Sequence, residues 1–219
     1  MMRSLDHYSA IQLWFELDLY DQLQILQILD FLAQIPDLPP VSLFCTEHYL
    51  GMIDADTLKQ NIHRNTTLSL ETLSQARKYW DAFTRPGPDA WCDLIHRKVA
   101  GLPYLNGAVL RMCQEFPDED NGLSLTMNRT LAVLETASCH PGRLFGDYIK
   151  TEVRKFLGDL SFFRMLNALM MVDQPLLESN RPGPLEYPFE STDLVSLTPL
   201  GKRVLDGQIH WLDIEPSRF

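Results

Sequence analysis

Residues 13–24 read LWFELDLYDQLQ, and they place Glu16, Asp18 and Asp21 at the joint between an apolar run and a long apolar helix. Ala10 to Phe15 is short and rich in large side chains, a pattern that suits either a buried strand or a helix fragment. The acidic break that follows favours the strand. From Leu19 to Gln34 the polar positions Gln24, Gln27, Asp30 and Gln34 form a narrow stripe at helical spacing, so this helix needs cover on several sides. Pro36, Pro39 and Pro40 stop it, and Val41 to Cys45 forms a second apolar, β-rich run. Strand, helix, strand is the unit that joins parallel strands by a crossover.

Two strands make an undersized sheet, because a stable face usually takes three or more. The expectation is therefore a partial parallel sheet with helices, in a domain truncated upstream. Downstream the pattern turns helical. Asp54 caps a short helix through Asn61, and Ser69 caps a longer one carrying Leu73, Ala76, Tyr79, Trp80 and Phe83. Further helices are expected over Asp89 to Val99 and Pro103 to Phe116, before a polar hinge at residues 117–122. That hinge divides a partial α/β domain, residues 1–116, from a second domain, residues 123–219.

In the second domain Leu123, Met127, Leu131 and Leu134 mark one helix, Leu144, Tyr148 and Ile149 another, and Leu160, Phe163, Leu166 and Met170 a third, capped by Asp159. Leu176 to Glu178 and Asp193 to Leu197 then flank a Pro/Gly-rich turn around Arg181 to Pro184, as in a β-hairpin. Three helices and a hairpin predict a mainly helical, winged-helix-like domain with a helix-turn-helix core.

The chain has 219 residues with a formal net charge of −10, and 45% of them are hydrophobic. That is enough for one or two cored domains. The acidity argues against a protein that coats nucleic acid or anionic membrane through its overall field. Residues 1–121 carry 9 Lys+Arg against 17 Asp+Glu, and the remainder 10 against 12, so most of the charge lies in the first part. Cys45, Cys92, Cys113 and Cys139 are scattered, as suits reduced thiols in the cytoplasm. MMRSLDHYSA lacks the apolar run of a signal peptide, and no membrane span is expected.

Leu13 to Ala33, LWFELDLYDQLQILQILDFLA, resembles the LWFEHDLYDQLQ segment of the bacterial domain-of-unknown-function family eighteen-thirty-five. The resemblance continues through Trp80 to Phe83, Leu102 to Leu105, Asn121 to Ser124, Phe156 to Phe162 and Leu197 to Gly201, and so covers nearly the whole chain. It implies an α/β domain followed by a winged-helix-like one, in proteins of no established activity. Three departures stand out. The family's upstream segment is absent, Leu17 replaces its usual His, and Trp211 leads into a different ending, LDIEPSRF.

Glu16, Asp18 and Asp21 are hard oxygen donors at a point where α/β folds collect ligands, so they are candidates for holding Mg²⁺ or Mn²⁺, for phosphoryl or nucleic-acid hydrolysis. Ordinary capping of the helix by Asp18, with Asp21 in its first turn, accounts for two of them without any ligand; Glu16 is left over. Beyond that divalent metal no cofactor is indicated. Cys45 and His48 lack a second ligand pair for zinc, no nucleophile–base arrangement stands out, and no Gly-rich phosphate loop is present.

Across the second and third helices of the second domain, Arg143, Lys150, Arg154, Lys155 and Arg164 give five cations against Asp147, Glu152 and Asp159. On the presumed recognition helix, Ser161, Arg164, Asn167 and Ala168 face outward while Leu160, Phe163 and Leu166 face the core. Arg154, Lys155, Arg164 and Asn167 are the candidate contacts to DNA or to a protein. The sequence thus favours a regulatory or binding protein over an enzyme, with DNA, a partner protein or a second copy as partner; the alternatives are the metal-dependent hydrolase and a structural interaction protein.

Overall fold

The computed structural model describes Leu5, residues 7–61 and residues 63–216, and the departing tail beyond Pro216 lies outside them. It is mixed α/β, and it separates into two compact units, 1–113 and 114–219. No helix among the described residues is long and apolar enough to cross a membrane.

In the first unit β1 (Ile11–Glu16) and β2 (Val41–Thr46) pair in parallel from Ile11–Val41 to Glu16–Thr46. Between them runs α1 (Leu19–Leu32). Its apolar circumference is covered by β1 and by two later helices, and Leu19, Ile25, Leu26, Leu29 and Leu32 are buried while Gln24 and Gln27 stay exposed. A 3-10 turn (Leu50–Met52) leads to α2 (Ala55–Asn61), capped by Asp54, whose Oδ1 accepts Asp56 and Thr57 N–H groups at 3.0 and 2.9 Å. The third strand of the sheet comes from within the chain. β3 (Thr66–Thr67) lies antiparallel along the far edge of β2, a two-residue element too short to give an alternating pattern.

α3 (Leu70–Phe83) is capped by Ser69, whose Oγ accepts Thr72 N–H at 3.1 Å, and it buries Leu73, Ala76 and Tyr79 against α1. The helix expected over Asp89 to Val99 stops after one turn, as α4 (Asp89–Cys92). Side chains capture the carbonyls that a longer helix would use. Tyr79 Oη donates to Leu94 O at 3.2 Å and Arg97 O at 2.5 Å, and Asn106 Nδ2 donates to Ile95 O at 2.8 Å and Arg97 O at 2.5 Å. α5 (Leu105–Cys113) ends the unit.

The polar stretch expected to be a hinge is built into the second unit. Asn121 is buried, its Oδ1 accepts Leu123 N–H at 3.0 Å, and its carbonyl accepts Trp211 N–H at 2.8 Å. Gly122 has φ of +75°, so an L side chain there would be strained. α6 (Leu125–Leu134), α7 (Pro141–Thr151) and α8 (Asp159–Met170) follow. Ser124 and His140 cap the first two, through Met127 N–H at 3.3 Å and Gly142 N–H at 3.1 Å. α8 starts after Gly158, which supplies no side-chain cap, and Asp159 is its first residue rather than its cap.

β4 (Leu177–Ser179) and β5 (Val195–Leu197) pair antiparallel, and Cys139, between α6 and α7, bridges Val195 with two 2.9 Å backbone hydrogen bonds. α9 (Pro199–Leu205), capped by Thr198, and α10 (Trp211–Ile214) complete the unit. Its core gathers Leu131, Tyr148, Phe162, Leu166, Val195, Val204 and Trp211.

Two glycines respond oppositely to a methyl group. A Cβ on Gly201 would lie 2.2 Å from the Leu176 carbonyl oxygen, so Gly201→Ala is expected to destabilise the second unit by about 1–3 kcal/mol. Gly146, inside α7, has open space at that position, and Gly146→Ala should stabilise by about 0.5–1 kcal/mol. Urea unfolding of the two variants checks both signs.

Candidate functional site

The turn from β1 into α1 has little chain with which to satisfy the first N–H groups of the helix, and side-chain oxygens do it instead. Asp18 is the N-cap, its Oδ1 accepting Tyr20 N–H at 2.8 Å and Asp21 N–H at 3.2 Å. Asp21 reaches back, its Oδ2 accepting the Glu16 N–H at 2.6 Å. Glu16, which capping alone left over, also has a backbone partner: its Oε1 accepts Leu50 N–H at 2.7 Å, fastening the turn after β2 to the end of β1. Gln22, buried, completes the joint by donating to the Glu16 carbonyl at 2.7 Å and contacting Cys45 Sγ at 3.4 Å.

The structure therefore brings the three predicted acids together, with one oxygen of each within 4.8 Å of the others. They are the residues that could hold a divalent ion. Burial pushes the Glu16 carboxyl above its ordinary 4.5, against the Leu50 N–H that favours the charged form, and the neighbouring Asp21 and Asp18 charges add to the rise. Burial likewise raises Asp18 above 3.8, opposed by the capping N–H groups.

Beyond the carboxyl end of β2 a cleft of about 280 Å³ opens, lined by Thr46, His48, Thr57, Asn61, Arg64 and Tyr104 among others. No sequence motif marks it, because these residues come from three separate segments.

In the second unit the predicted contact residues diverge. Arg164 and Ser161 are exposed on α8. Arg154 and Lys155 lie on the connection between α7 and α8, since α7 ends at Thr151. Asn167 is not a free reader. Its Nδ2 donates to Leu185 O at 2.9 Å and its Oδ1 accepts Leu185 N–H at 2.7 Å, tying the long β4–β5 loop to α8. Leu160, expected in the core, is 59% exposed, and Phe162 takes the buried position.

Several cations are already engaged. Lys150 and Arg143 both meet Asp147, at 2.7 and 3.4 Å, and the Lys150 hydrogen bond above all, with Arg143 adding to it, holds the carboxyl below the usual aspartate range. Arg129 meets the buried Glu152 at 3.0 Å, Arg181 meets Asp193 at 3.3 Å, and Lys202 meets Glu135 and Asp206.

No family model, curated protein or solved structure matches this chain.

Because the Glu16 and Asp18 values are raised in the folded state, these groups contribute stability that is fully present below their unfolded pKa values, 4.5 and 3.8, and is lost as pH rises through the folded ones. Glu16→Gln keeps an oxygen for Leu50 and removes the charge. The melting temperature of Glu16→Gln relative to the native chain is expected to rise between about pH 4 and about pH 7. A constant difference across that range would mean that the Glu16 charge is not desolvated.

Proposed function

We propose that this chain is a cytoplasmic regulatory or binding protein, whose second unit is a winged-helix-like module that uses α8 as its contact helix. The observation that supports the reading is the Cys139–Val195 bridge. It adds a third strand position, from the α6–α7 connection, to the β4–β5 hairpin, giving the order helix, bridge, helix, helix, hairpin. The Leu13 to Ala33 segment supports membership of family eighteen-thirty-five.

Protein is the favoured partner. Non-specific DNA binding comes from cations that displace counterions along the phosphates. Here at least Arg129, Arg143, Lys150, Arg181 and Lys202 face carboxylates of their own unit. By contrast, Val153 on the α7–α8 connection is 80% exposed, and on α8 Leu160 is 59% exposed, one helical turn before the exposed Arg164. Mixed apolar and Arg surface suits a protein contact.

A photo-crosslinking residue at position 160, in the full chain expressed in cells, is expected to give a discrete adduct that Arg164→Glu removes. The same residue at position 203, exposed on α9, should give none. No adduct at 160, or equal adducts at both positions, would overturn the protein-contact reading.

DNA is the second reading, favoured by Ser161 and Arg164 standing exposed on one helix. Fluorescence anisotropy against a labelled random duplex tests it, with the Arg154→Ala/Lys155→Ala/Arg164→Ala variant as control. The expected result is no binding tighter than about 10⁻⁴ M at physiological salt. Micromolar binding that weakens with salt and with the triple substitution would move the reading to DNA.

The hydrolase alternative rests on the acidic joint. Since each carboxylate there already serves a backbone N–H, millimolar Mg²⁺ or Mn²⁺ is expected to leave the melting temperature unchanged. A rise that Asp18→Asn abolishes would establish a metal site.

A further inference from the structure

Cys92 and Cys113 each close a helix, α4 and α5, and their Sγ atoms lie 3.8 Å apart. The four cysteines occupy unlike surroundings. Cys139 is buried, Cys45 and Cys113 are partly buried, and Cys92 is exposed. The pair therefore combines one thiol open to small oxidants with one held behind it in contact distance, the arrangement by which an oxidised cysteine is trapped by a neighbour. We propose that Cys92 and Cys113 form a modification site, which a hydroperoxide converts to an intramolecular disulfide.

The order of events follows from exposure. The Cys92 thiolate attacks a peroxide oxygen; its S–O bond forms as the O–O bond breaks, and with hydrogen peroxide the other oxygen leaves as hydroxide, which takes up the proton that Cys92 released. The Cys113 sulfur then attacks the Cys92 sulfenic acid. The S–S bond forms, hydroxide departs from Cys92, and it takes the Cys113 proton to become water. Two thiols are oxidised and one hydrogen peroxide is reduced to two waters. Burial and the neighbouring Cys92 push the Cys113 thiol up to about 12, so it remains a thiol and does not compete for the first step.

Position favours the closing step as well. A helix's last residue has fewer constraints than an interior one, and the sulfurs must approach from 3.8 Å to a bond of about 2.05 Å. The chain between the two cysteines runs through the stretch that failed to continue as a helix, held by Tyr79 and Asn106, and then through α5. The disulfide closes this chain into a loop and reduces the freedom of its unfolded form.

The test is to treat the full chain with hydrogen peroxide, count free thiols, and map the digested peptides by mass spectrometry. Two of the four thiols should disappear, with a cross-linked peptide pair containing Cys92 and Cys113 that dithiothreitol separates, and a higher melting temperature for the oxidised chain. Cys113→Ser should leave a Cys92 sulfenic acid that a cyclic 1,3-diketone labels, whereas the native chain should label weakly. Cys92→Ser should keep all three remaining thiols at the same peroxide dose. Overoxidation of Cys92 with Cys113 left reduced, or a Cys92–Cys92 link between two chains, would overturn the proposal.

Discussion

The β1–α1 joint must end a parallel strand and begin a helix almost at once, and its hydrogen bonds set the geometry of the first unit. A strand that pairs on one side through Glu16 and a helix that starts at Leu19 leave backbone N–H groups without regular partners. Asp18, Asp21 and Glu16 answer three of these demands with carboxylate oxygens, on the helix, on the strand end and on the turn after β2. Neutral residues could cap the helix, but only a longer acceptor at position 16 reaches Leu50. Burial is the main reason that the Glu16 and Asp18 carboxyls lie above their ordinary values, and the crowding of three acids within 4.8 Å adds to the rise. The positive end of α1 offsets part of it. The same joint therefore serves structure fully before any ligand is considered.

The second unit shows a different economy of charge. Several of its cations meet acids of the same unit, and the buried Glu152 illustrates why. Its carboxylate receives Arg129, the Tyr148 hydroxyl at 3.3 Å and the Arg154 backbone N–H at 3.3 Å, so it ends α7 and fixes the start of the connection to α8. Asn167 does similar work at the other end, holding the loop between β4 and β5 to α8 through Leu185. Polar side chains on α8 thus divide by position. Asn167, near its C-terminal end, is structural, and the exposed surface gathers at its first two turns, around Leu160, Ser161 and Arg164.

Elements with strong periodicity or a clear cap were legible in the sequence. β1, α1 and β2 fall within a residue or two of their expected bounds, and Asp54 and Ser69 sit one residue before the helices they cap. β3 was not legible because two threonines carry no alternation, and α4 was overextended because its apolar spacing continues past the point where Tyr79 and Asn106 take its carbonyls. Of the candidate site, the meeting of Glu16, Asp18 and Asp21 was readable from strand and helix periodicity. The Leu50 partner of Glu16, 34 residues away, was not.

The misses share a cause that bears on how function is read from such a chain. Hydrophobic periodicity reports which face of an element is buried, but it is silent on which polar group a long-range partner has claimed. Glu16 looked free, and Asn167 looked available, because the groups that occupy them lie on distant segments. Once those partners are counted, the polar residues best placed to meet another molecule are fewer than the sequence suggested. Exposure then carries the argument. At α8 the surface left over is Arg164 and Ser161 beside an outward-facing Leu160, a composition with one cation and an apolar side chain that a phosphate backbone would not reward but a protein surface can cover.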